Sequence, residues 1–103
     1  LLTLASVAGA QENFLISPVN FAGGVEPGIS SAAAELNNRG VEKALTEGNY
    51  EAATTLFRQS IESDARCLQC RYNLGASLFH LEKYDDGEKV FTDLISLAPT
   101  YAY

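Results

Sequence analysis

The feature that most limits what this chain can fold into is an internal period. Slid on itself by 34 residues, the sequence places Tyr50 on Tyr84, Ala53 on Gly87, Phe57 on Phe91 and Ile61 on Ile95. Ala44 and Leu45 fall on Leu78 and Phe79, and Leu36 falls on Cys70. An offset that keeps aromatic, small and aliphatic classes in register marks a repeat array. The better preserved unit, Arg71 to Pro99, reads as two amphipathic helices folded back on each other through a turn at Glu82–Tyr84. Leu74, Leu78 and Leu81 recur at helical spacing before the turn, and Gly87, Phe91, Leu94 and Ile95 after it. Gly75 and Gly87 let two backbones approach, while Phe79, Phe91 and Ile95 fill the space beside them. One such hairpin cannot bury all of its apolar surface alone, so the two copies must lean on each other.

With two helices per unit at this period, the chain resembles the tetratricopeptide repeat (TPR) family. That family's signature is a Leu-Gly pair, an aromatic or aliphatic residue three further on, small-x-x-x-Phe, and then Pro. The second unit supplies Leu74-Gly75, Leu78, Tyr84, Gly87-x-x-x-Phe91 and Pro99; the first supplies Gly48, Tyr50 and Ala53-x-x-x-Phe57. It departs in places. The family's Trp position is Arg71 in the second unit and Asn37 in the first. Gly40 stands one residue early for the Leu-Gly pair, and Ala65 replaces the usual Pro. The resemblance implies an all-α fold of antiparallel helix-turn-helix hairpins, stacked as a short right-handed α-solenoid. Its repeats would span 32–67 and 68–101, with 102–103 opening a further one.

The chain has 103 residues, 47% of them hydrophobic, which is enough for one small domain with a core. It starts at Leu1 with no Met anywhere, which is expected of a piece of a longer protein. Thirteen acidic and 7 basic residues give a net charge of −6. Without a Lys/Arg cluster there is no footprint for a phosphate backbone, so nucleic acid is not an expected partner. The acidic balance also disfavours anionic membrane surfaces.

Leu1 to Ala10 is an apolar run ending in Ala8-Gly9-Ala10. Small residues at its last and third-last positions suit a signal peptidase, and its length is far too short to span a bilayer. The expectation is therefore an export-signal remnant at 1–10 and a periplasmic or secreted protein; a cytoplasmic location follows if the run is only an apolar tail. From Gln11 to Ser31, Pro18, Gly23-Gly24 and Pro27-Gly28 interrupt any period every few residues, so an extended or disordered leader is expected. Its Phe14, Leu15, Ile16, Val19 and Phe21 suit local packing on a helix or a docking role. A first helix is predicted over about Ala32–Glu47, capped by Ser30 or Ser31. Gly48-Asn49 makes the turn into a helix over Tyr50–Ser63. Asp64–Cys67 forms the joint, and a third helix runs over Leu68–Leu81. Asp85 and Glu88 form a capping-box-like start for a fourth, which ends near Leu97. Arrays of this kind need their end faces covered, so more repeats are expected in the intact protein.

Cys67 and Cys70 form a CxxC. A thioredoxin-like redox role would need a βαβ context, c-type haem attachment a His where Arg71 stands, and zinc a second ligand pair. A local disulfide, suited to an exported protein, and two packed thiols both stay open. His80, the only histidine, has no nucleophile or ordered carboxylate that the sequence points to. Asp85, Asp86 and Glu88 complement a helix dipole. No phosphate loop, Ser-His-Asp set or metal-spaced cluster is present, so neither catalysis nor a cofactor is expected.

What is left is surface. The resemblance implies a concave face lined by the first helix of each repeat, which binds an extended peptide or a partner helix. By the family's pattern Asn73 occupies the place of an asparagine that bonds a peptide backbone, and an amide can donate and accept at once. At the 34-residue offset its counterpart is Arg39, so an asparagine ladder would be broken. Asn38 and Glu42 stand where chaperone-carboxylate binders carry other residues, which argues against that specificity. The expected groove comprises Arg39, Glu42, Asn73, Ser77 and His80, with a protein or peptide partner. The competing readings are a structural spacer that self-associates through its exposed C-terminal repeat face, and a redox or metal protein built on the CxxC.

Overall fold

Each helix starts where the chain offers an acceptor or a turn to launch it. The computed structural model describes residues 16–19 and 28–99. Among these residues there are four α-helices and no strand: α1 (Ser31–Leu45), α2 (Tyr50–Ser63), α3 (Leu68–His80) and α4 (Tyr84–Leu97). The Ser30 hydroxyl caps α1 by accepting the Ala33 N–H, and the Asn49 side chain caps α2 by accepting the Ala52 N–H. Cys67 caps α3 through its sulfur. The expected capping box at Asp85 and Glu88 is not made. Helix α4 starts two residues earlier, behind Lys83, which gives no side-chain cap bond, and Asp85 and Asp86 lie inside its first turn. There they face the positive end of the helix dipole. Helix α1 ends two residues before the expected Glu47, because the chain is already turning towards Gly48. The readings at 1–10, over most of the leader and at 102–103 fall outside the described residues.

Helix α1 packs on α2, α3 on α4, and α2 on α3, so two hairpins stack through their inner helices. Rings set against glycines fix the distances. A Cβ built on Gly40 would lie 2.6 Å from the Phe57 ring, and one on Gly75 would lie 2.8 Å from the Phe91 ring. Phe57, Leu78 and Leu94 are fully enclosed. Ile95, expected to face inward, is 40% exposed, and Leu97 beside it is 59% exposed. One period earlier Ile61 is packed against the core. The described residues include no third hairpin to cover the same face of α4.

The joint between hairpins is held by Asp64. Its carboxylate accepts from the Arg66 guanidinium at 2.8 and 2.9 Å, from the Arg66 backbone N–H at 3.0 Å and from the Ser30 N–H at 2.8 Å. One side chain thus ties the start of α1 to the α2–α3 connection. The Arg66 guanidinium, then the Arg66 and Ser30 N–H groups, hold its pKa well below the usual carboxylate range.

The hairpin turns differ in one respect. Gly48 and Glu82, one period apart, both take a left-handed backbone, with φ of 65° and 62°. After Glu82 the chain closes a Schellman-type end, with Lys83 N–H bonded to Leu78 C=O and Glu82 N–H to Phe79 C=O, both at 2.9 Å. Glutamate carries a Cβ that this conformation disfavours. Glu82→Gly should therefore raise stability by about 0.5–1 kcal/mol in urea denaturation. A separate test concerns acid. A depressed pKa in the folded state contributes stability that is complete above about pH 4 and is lost as pH falls further. Asp64→Asn should be less stable than the parent at pH 7, and the gap should narrow as pH falls below about 4.

Candidate functional site

The face shared by α1 and α3 carries three asparagines, and the chain's own segment Ile16–Val19 lies across them. Asn73, fully buried, accepts the Ser17 N–H at 3.1 Å and donates to the Ser17 C=O at 2.7 Å. Asn38 treats Val19 in the same way, accepting its N–H at 2.8 Å and donating to its C=O at 3.1 Å. Asn37, also fully buried, joins the two: it accepts from Asn73 at 2.8 Å and donates to Asn38 at 3.2 Å. Gln69 donates to Asn73 at 2.9 Å from the next turn of α3. Each clasping amide thus meets both polar groups of one backbone residue, using its donor and its acceptor together.

The two ends of the segment are buried and Pro18 between them is exposed. Ile16 joins the main core with Val41, Ala44 and Leu74, and Val19 packs with Ala34 and the two cysteines; both are buried, while Pro18 is exposed. Cys67 and Cys70 are disulfide-bonded, with Cα atoms 5.3 Å apart, which resolves the two readings left open by the sequence. The Cys67 sulfur accepts the Cys70 N–H at 3.2 Å. Against the bridge sits the Ser60 hydroxyl, whose single proton goes to the Ala33 C=O at 2.6 Å.

The five residues expected at the groove divide among three places. Asn73 is at the centre of the clasp. Arg39 and Glu42 are exposed and line an open depression along α1 with Ser31, Glu35 and Asn38. Ser77 is fully buried between the hairpins: it donates to the Tyr50 C=O at 3.0 Å, so at 2.7 Å it must accept from Thr54. His80 stacks on Tyr50, with ring centroids 4.3 Å apart and planes 10° from parallel, and burial lowers its pKa. Ser77 and His80 thus hold the hairpins together rather than opening on the bound segment.

Asn37 and Asn38 are the residues the sequence reading missed, and the signal lay in Gly40. Gly40 receives Phe57 as Gly75 receives Phe91. Asn38 precedes Gly40 by the same two positions that separate Asn73 from Gly75. Helix α1 is displaced by one residue relative to the 34-residue period of the second helices. The counterpart of Asn73 is therefore Asn38 and not Arg39, and the ladder is intact.

Among the described residues no group of three or more His, Cys, Asp or Glu side chains is arranged to hold a metal ion, and no helix is long and apolar enough to cross a membrane. A family model for the anaphase-promoting complex, cyclosome, subunit 3, a TPR-type repeat family, matches residues 43–94. No curated protein and no solved structure matches the chain.

The clasp implies a sharp contrast between two positions. Asn73→Ala strands the buried acceptor oxygen of Asn37 and the part-buried N–H of Ser17, and should cost about 1–3 kcal/mol in chemical denaturation. Arg39→Ala, on open surface, should stay within about 0.5 kcal/mol of the parent.

Proposed function

Because the chain belongs to the family described as anaphase-promoting complex, cyclosome, subunit 3, whose repeats are of the TPR type, we propose that it is a protein–protein interaction module that grips an extended peptide on the face shared by α1 and α3. The observation that carries this reading is the pair of amide clasps at Asn73 and Asn38, each addressed to the N–H and C=O of one residue. Backbone groups are common to every peptide, so the clasps supply attachment and direction. Selectivity then comes from the pockets alongside and from Arg39 and Glu42 on the neighbouring depression. The proposed contact residues are Asn37, Asn38, Asn73, Arg39 and Glu42.

Export is part of the same proposal. The Leu1–Ala10 run has the pattern of a signal remnant, and a Cys67–Cys70 bridge is of the kind that an oxidising compartment sustains. A second reading, self-association through the end of α4, is favoured by the exposure of Ile95 and Leu97. A spacer of that sort would leave the asparagine face without a ligand in trans.

A random peptide library displayed against the immobilised chain separates these readings. Selected peptides should bind in calorimetry, and in a chain whose own segment is unseated by Ile16→Asp with Val19→Asp, Asn73→Ala should weaken them by about tenfold or more, the effect of losing two hydrogen bonds. Failure to select any peptide, or equal binding with and without Asn73→Ala in that unseated chain, would contradict the proposal.

A further inference from the structure

The peptide face already has an occupant. Ile16–Val19 supplies the backbone that Asn73 and Asn38 clasp, and it fills an apolar pocket at each end. Its sequence fits the task at every position. Ile16 and Val19 are three residues apart and both are buried, at 5% and 4% exposure. Ser17 and Val19 present their N–H and C=O to the asparagines. Position 18 points outward and holds proline, the one residue with no N–H to satisfy. That proline also biases Ser17 towards an extended backbone, so the segment is partly ordered before it binds.

We propose that Ile16–Val19 is a resident ligand, and that the groove selects peptides of the same pattern: aliphatic, any residue, proline, aliphatic. A partner peptide carrying this pattern binds by displacing the chain's own segment. The inference rests on the peptide-binding reading above and adds both the ligand's chemistry and its control. Three observations set the pattern. Ile16 belongs to the main apolar core, whose buried members include Val41, Ala44 and Leu74. Val19 packs in a second, smaller apolar cluster with Ala34 and the disulfide, bordered by Ile29 and Ile61, which favours a short aliphatic side chain over an aromatic one. The clasps read only residues 17 and 19, which frees position 18 for proline. Because the resident segment is on the same chain, its effective concentration at the groove is of the order of millimolar. A free peptide of equal intrinsic affinity is therefore held off by about tenfold or more until the segment leaves.

The test uses the full chain and a fluorescein-labelled peptide of residues 12–21, followed by fluorescence anisotropy. Two altered chains weaken the resident segment: Ile16→Asp with Val19→Asp, which empties the pockets, and Ser17→Ala with Val19→Asp, which empties only the Val19 site. Helix content by circular dichroism identifies which of them stays folded, and the milder change serves if the first does not. The folded variant should bind the labelled peptide at least about tenfold more tightly than the parent. Adding Asn73→Ala to it should abolish the gain, and a probe with Asp at both aliphatic positions should not bind. Equal affinity for parent and variant would overturn the proposal, as would a parent that is dimeric at the assay concentration through exchange of the segment. If library peptides bind the chain while the 12–21 peptide fails on the weakened variant, this inference falls and the peptide-binding function stands. If neither binds, both fall.

Discussion

The rest of the structure depends on how closely two helices can approach when one of them offers a glycine to a phenylalanine ring. At Gly40 and Gly75 no Cβ fits, because the rings of Phe57 and Phe91 already occupy the space. The ring of Phe57 is fully enclosed, so it has little freedom to retreat. This interlock fixes the rotation of α1 against α2 and of α3 against α4. Once those rotations are fixed, the residues two positions before each glycine, Asn38 and Asn73, must share the opposite face. A packing requirement inside each hairpin thereby places the pair of asparagines on the face outside it.

That feature is costly unless something fills it. Asn37 and Asn73 are fully buried, and an unsatisfied buried amide group costs about 1–3 kcal/mol. A helix cannot supply the missing partners, since its own backbone groups are already paired. An extended chain can, because it offers one N–H and one C=O per residue. Ser17 and Val19 do this while Ile16 and Val19 bring apolar surface into the pockets on either side. The buried amides of this face are thus satisfied by an extended backbone of the same chain. The disulfide contributes a wall of one pocket and the cap of α3, so the joint between hairpins and the groove share a boundary.

Most of the architecture was legible in the sequence because a repeat states its pattern twice. Tyr50, Ala53 and Phe57 recurring as Tyr84, Gly87 and Phe91 was sufficient for the helix pairs, and α2 begins and ends where it was expected. The site was legible only in part. Asn73 stands out in the sequence, but a strict 34-residue offset pairs it with Arg39. The displaced Gly40 was the clue, and reading it as a shift of the whole helix leads to Asn38. Ser77 and His80 lie on the correct helix but turn towards α2, a matter of rotation that periodicity alone cannot fix. The fourth helix began ahead of the expected capping box, because Glu82 turns left-handed where Gly48 does in the first hairpin. Nothing in the spacing of Ile16–Val19 marks it as an occupant; that follows only from the geometry of the amides it meets.

The account is tested most directly by amide hydrogen exchange at Ser17 and Val19, followed by heteronuclear NMR of the intact chain. If Asn73 and Asn38 clasp these residues, both amides should exchange at least about tenfold more slowly than in an unstructured peptide. In Asn73→Ala, Ser17 should lose that protection while the amides of α2 keep theirs. Exchange at the unstructured rate for both residues in the parent chain would contradict the central claim, because the asparagines would then be holding nothing.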